Sequence, residues 1–100
     1  MAIFAAWVTF ANHEERLRIR PKHREYLDQL LTDGKLVESG PFTDETGALL
    51  IYEADSEAAV RQLMDADPYN SVGAFGQIEI REWRRLYATA TPELRPAPIG

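Results

Sequence analysis

The first ten residues, MAIFAAWVTF, contain no polar side chain before Thr9. A run this apolar and this short cannot span a bilayer, and it lacks the basic n-region expected of a signal peptide. It reads instead as a strand over residues 2–10, buried on both faces or nearly so. Such a strand needs partners beside it and cover above it. The rest of the 100-residue chain must supply both within one domain.

The partners follow in order. Asn12 with Glu15 three residues on resembles a capping box and predicts a short helical turn. Pro21 disfavours the helical region for Arg20, so that turn is expected to break there. A new helix then opens on Pro21, with Tyr26, Leu27, Leu30 and Leu31 at helical spacing. Asp33-Gly34 ends it, because glycine accepts the left-handed C-terminal conformation. Residues 35–42 read as a second strand with a fault: Gly40-Pro41 predicts a bulge, a strand end or the close approach of a ligand. TDETG is a turn, and residues 48–53 make a third strand, completing a hairpin. Ser56 is an N-cap candidate ahead of the stripe Ala59, Val60, Leu63 and Met64. Pro68 ends that helix. A long fourth strand lies within residues 74–87.

The order is βαββαβ, the α+β ferredoxin-like arrangement: a four-stranded antiparallel sheet with two helices on one face. Residues 1–88 form the single domain. The Pro-rich tail 89–100 is expected to be an extended arm or disordered. Phe4, Trp7, Phe10 and Tyr52 cannot all face the helices, because alternate strand residues point oppositely. An apolar second face predicts an interface, and a homodimer packed sheet to sheet is its simplest closure.

Charge narrows the function classes. The net charge of -5 argues against general nucleic-acid binding. Residues 36–67 carry one basic and eight acidic groups, while Arg16, Arg18, Arg20, Lys22 and Arg24 form a basic run with no acid inside it. That run is either a solvated surface balancing the acidic middle or a focus for an anionic ligand. The absence of cysteine excludes disulfides, thiolate metal sites and a cysteine nucleophile. It fits a reducing compartment, and a cytoplasmic location is expected. His13 and His23 stand ten residues apart, a poor spacing for metal ligands on a helix, and His13 is expected to be exposed. No Gly-rich phosphate loop or nucleotide fingerprint is present.

Three short motifs carry a family resemblance: Arg20-Pro21-Lys22-His23 opening the first helix, Gly34-Lys35-Leu36 followed by Ser39-Gly40-Pro41-Phe42, and Asp65-Ala66-Asp67-Pro68-Tyr69 closing the second helix. In this order the sequence resembles the YciI-like family, small proteins related to muconolactone isomerases and other dimeric α/β-barrel proteins. The resemblance covers residues 2–87. It implies a ferredoxin-like fold that dimerises through its sheets, and a His–Asp pair, here His23 and Asp67. Most members have no established substrate; a few relatives act on chlorinated hydroxyquinols as dehydrochlorinases. Many relatives carry a longer hairpin after the Gly-Pro than the short TDETG here.

Each candidate residue has two readings. His23 lies on the apolar face of its helix, as a hydrogen-bonded core residue or as a general base or acid. Asp67 follows the second helix, where the helix dipole disfavours a carboxylate; it caps the turn before Tyr69 or pairs with the imidazole, fixing its tautomer. Ser39, Gly40 and Pro41 form a bulge or line a ligand site. Arg20 binds a carboxylate or phenolate, or makes a surface ion pair. Tyr69 donates a hydrogen bond into a pocket or covers the helix end. The preferred function is a small homodimeric enzyme that uses His23 and Asp67 for proton transfer on a small aromatic or anionic molecule. Isomerisation or elimination of that kind requires no cofactor. The alternative is a non-catalytic ligand-binding or interaction module, and a haem-binding relative is a disfavoured third reading.

Overall fold

β1, Ala2–Phe10, is the spine of the sheet. In the computed structural model, which describes residues 1–87, β1 pairs antiparallel with β3 (Gly47–Ala54) on one side and with β4 (Phe75–Glu82) on the other. β2, Leu36–Pro41, pairs antiparallel with β3 and forms an edge, giving the order β2-β3-β1-β4. This is the expected ferredoxin-like α+β sheet. The tail expected over residues 89–100 lies outside the described residues.

β1 is buried on one face only. Phe4, Ala6 and Val8 are sealed in the core, while Trp7 between them is 57 % exposed. Central position gives the strand two hydrogen-bonded neighbours, but within one chain the helices cover a single face. A register shift lies between Val8 and Phe10 on the β4 side, and there Thr9 Oγ1 accepts a bond from Gln77 N. Phe4 and Tyr52 are cross-strand neighbours within the core, which continues through Leu50, Leu36 and Ile80.

α1, His13–Thr32, runs unbroken through Pro21. The expected break at Arg20 does not occur. An interior proline costs about 3 kcal/mol or more, and burial on both sides of it opposes the break: Arg16 lies two turns before His23, and Leu30 two turns after it. The capping box is also absent. Asn12 takes a left-handed conformation without a side-chain cap bond, and its Nδ2 donates instead to Val72 O at 2.6 Å. Glu15 pairs with Arg18. Gly34, at φ 74°, ends α1 as expected.

The fault in β2 lies away from Gly40-Pro41. The register shifts between Leu36 and Glu38, whereas Gly40 and Pro41 stay in register with Leu49 and Ala48. Pro41 is tolerated because β2 is an edge strand and ends there. In the turn, Asp44 Oδ1 accepts bonds from Thr46 N and Thr46 Oγ1, which hold its carboxyl below the usual range. Gly47 is required by contact: a Cβ there would stand 2.0 Å from Val8 O.

α2, Glu57–Asp65, is capped by Ser56, whose Oγ accepts from Ala59 N at 3.1 Å. Val60 and Met64 enter the core. Pro68 does more than end α2: it opens a one-turn helix, α3, Pro68–Ser71. Asp67 is extended, as a residue before proline prefers, and caps that turn. Among the described residues no helix is long and apolar enough to cross a membrane.

Candidate functional site

α1 carries His23 and α3 carries Tyr69, and Asp67 stands between them. Asp67 is 1 % exposed. Its Oδ1 accepts from His23 Nδ1 at 2.7 Å and from Tyr69 N at 2.9 Å. Both readings of Asp67 therefore hold at once: one oxygen caps the turn and orients the imidazole. The expected clash with a helix dipole does not arise, because Asp67 precedes the N-terminus of α3, where a carboxylate is favoured. A carboxylate only accepts, so Nδ1 carries the hydrogen of this bond, and whenever the ring is neutral the lone pair is on Nε2.

Tyr69 fixes the ring as well. The two rings stack with centroids 3.7 Å apart and planes 2° from parallel. Phe10 and Phe75 meet Tyr69 edge to face. The imidazole is thus held by one strong bond and one stacking face, and His23 lines a cavity of about 240 Å³.

The cavity sits between α1, the β2–β3 hairpin and α3. Arg20, Ser39, Gly40, Pro41 and Tyr69 all line it, together with His23. No Cβ contact constrains Gly40, so its backbone lies open. Asp67 is behind the wall, bonded to two residues that line it, His23 and Tyr69. His13 is exposed, as expected, and its Nδ1 bonds Arg16 Nη2 at 3.2 Å.

Arg16, Phe75 and Glu45 are among the lining residues that the sequence did not single out as site residues. Arg16 is 3 % exposed, the reverse of a solvated basic run. Its position seven residues before His23 was the available signal, since seven residues are close to two helical turns. Phe75 and Glu45 reach the cavity through strand pairing and turn geometry, which have no local signature.

Behind Asp67 lies a polar pocket of the core. Tyr26 Oη donates to Leu63 O at 2.5 Å. Tyr52 Oη and Asp67 Oδ2 are buried without partners among the described residues. Burial, and then the negative Asp67, push both phenols above their ordinary value. Among the described residues no three His, Asp or Glu side chains gather as a metal site.

The YCII-related domain family matches residues 2–84, nearly all of the described chain. This chain belongs to that family. Among relatives of this YCII-related domain, the uncharacterised protein YjpA of Bacillus subtilis is 37% identical over 62 residues, covering 62% of this chain and 72% of that protein. Protein YciI of Escherichia coli is 29% identical over 84 residues, covering 74% of this chain and 86% of its own. A solved structure shares the fold with a TM-score of 0.72 at 24% identity, covering 83% of this chain and 94% of that one. It is the 5-chloro-2-hydroxyhydroquinone dehydrochlorinase TftG of Burkholderia phenoliruptrix, in complex with 2,5-dihydroxybenzoquinone.

Proposed function

We propose that this YCII-related domain is a small cofactor-independent enzyme of isomerase or lyase type, acting by proton transfer on a small aromatic or anionic molecule. One observation carries the reading: the buried 2.7 Å bond from His23 Nδ1 to Asp67, which leaves Nε2 as the free nitrogen of a residue lining the cavity. Nε2 takes a proton from a carbon of the ligand, and Asp67 stabilises the imidazolium that forms. The electron pair of the broken C–H bond moves into a new double bond. In an isomerisation the proton returns at another carbon; in an elimination an anionic leaving group departs. Dehydrochlorination, the reaction named for the structural neighbour, belongs to the second type. Arg20 and Ser39 supply polar contacts to the ligand, Gly40 allows its close approach, and Pro41 and Tyr69 form walls.

A non-catalytic ligand-binding module is the second reading, and the cap bond from Tyr69 N to Asp67 favours it, because the carboxylate already has a structural task. Proton exchange in D2O separates the two. A panel of one-ring phenols, aromatic acids and unsaturated lactones is incubated with the protein, and C–H signals are followed by NMR. Loss of a C–H signal, slowed by about a hundredfold or more in His23→Asn, is the expected result. A panel member that binds while every C–H signal persists would assign the binding module.

The proposal includes a homodimer formed through the sheet face away from the helices. Trp7 and Leu49 are in register there, Leu49 is 40 % exposed, and Phe42 meets Trp7 edge to face. Such a contiguous apolar patch supports an interface.

A further inference from the structure

Arg16 is a buried cation with no counter-ion among the described residues. Among the described residues its guanidinium has no carboxylate partner; the ion pairs belong to Arg18, His23 and Arg81. Its Nη2 donates to His13 Nδ1, which must accept because a guanidinium has donors only. Its carbon centre lies 4.1 Å over the Phe10 ring, and its Nε is buried with no hydrogen bond. A ring face and a neutral nitrogen offset only part of the cost of burying a charge.

Arg16 and Phe10 share the cavity wall with Arg20 and Arg24, against the single acid Glu45. Phe10, Tyr69 and Phe75 contribute ring surfaces to the same wall. A dry cavity of about 150 Å³ admits one benzene ring, so the 240 Å³ here has room for one ring with a small substituent. The guanidinium fork matches a carboxylate in shape and charge. Seven residues place Arg16 about 10 Å from His23 along the helix axis, on the same face.

We propose that Arg16 is the anion anchor of this cavity, and that the ligand is a one-ring aromatic carboxylate whose acid group binds Arg16 and whose ring lies toward His23. The assignment rests on the same cavity being the substrate site, and it adds the ligand class and the residue that selects it. It also gives the basic run its division of labour: Arg18 is paired on the surface with Glu15, while Arg16, two residues before it, turns inward.

Benzoate and benzamide test the anchor, since they share shape and differ in charge. Affinities are measured by NMR titration at low salt, with the Arg16 Nε–H resonance as the local reporter. Benzoate is expected to bind about ten- to a hundredfold more tightly than benzamide, the range for a charge-assisted bond, and to shift the Nε–H signal. In Arg16→Gln the preference is expected to vanish. In Arg18→Gln, which removes the same charge from the outer surface, it is expected to remain. Should Arg16→Gln not fold, the wild-type preference and the Nε–H shift decide alone. Equal affinities for the two probes, a preference that survives in folded Arg16→Gln, or an equal loss in Arg18→Gln would overturn the assignment. Benzoate is an inert probe here, so binding without proton exchange on any panel member rejects the catalytic reading and leaves the anchor standing.

Discussion

Replacing Tyr52 by phenylalanine is expected to stabilise the fold. Tyr52 is fully buried, and its hydroxyl has no partner among the described residues. Burying a hydroxyl without a hydrogen bond costs about 1–3 kcal/mol by the measure of mutational data. Tyr52→Phe keeps the ring against Phe4 and Leu36 in the register that β1, β2 and β3 share. A gain of about 1 kcal/mol is therefore expected near neutral pH, or roughly 4–8 °C in Tm for a domain of this size. The pH dependence carries the sign of the phenol shift. Tyr52 is raised from the ordinary 10.0 by burial first and by Asp67 second. The unfolded chain therefore releases this proton before the folded one. The stability linked to it is complete below pH 10.0 and is lost as pH rises from there toward the folded-state value. Phenylalanine has no proton to lose, so the advantage of the variant should widen above pH 10.0; Tyr26, raised in the same direction, still titrates in both proteins. Urea unfolding of both proteins at neutral and alkaline pH measures it. A variant less stable than wild type by about 1 kcal/mol would refute the reasoning, because it would mean that the hydroxyl donates to Asp67 Oδ2.

Asp67→Ala removes the acceptor of two buried donors, His23 Nδ1 and Tyr69 N, and should lower stability by about 2–4 kcal/mol; Asp67→Asn keeps an acceptor oxygen and should lose less, so equal losses in urea titrations would show that the cap contributes nothing. Gly47→Ala puts a methyl group against Val8 O and should cost more than about 3 kcal/mol or abolish soluble expression, which thermal unfolding will show. Sedimentation equilibrium at micromolar concentration should give twice the 11.3 kDa chain mass for the wild type and a shift toward one chain for Trp7→Glu; a wild-type mass of one chain would remove the sheet-face dimer.

Local sequence determined much of the scaffold. The alternation of strand and helix periods set the element order, Gly34 and Ser56 set two helix ends, and Gly40-Pro41 marked the end of an edge strand. Asp67-Pro68 also carried a local signal for a new cap and helix start, since both preferences act within three residues. The pairing of His23 with Asp67 was legible through family resemblance and not through spacing, because 44 residues separate them. Tertiary structure decided the rest. Pro21 passes through α1 because buried contacts on both sides outweigh a local preference. Arg16 turns inward because Phe10, brought alongside by β1, offers its ring to the guanidinium. Phe75 and Glu45 join the cavity by strand pairing and turn geometry. Caps and periodicity act between neighbours in the chain, and burial acts between neighbours in space; a site assembled from α1, α3, the β2–β3 hairpin and the ends of β1 and β4 is written in the second.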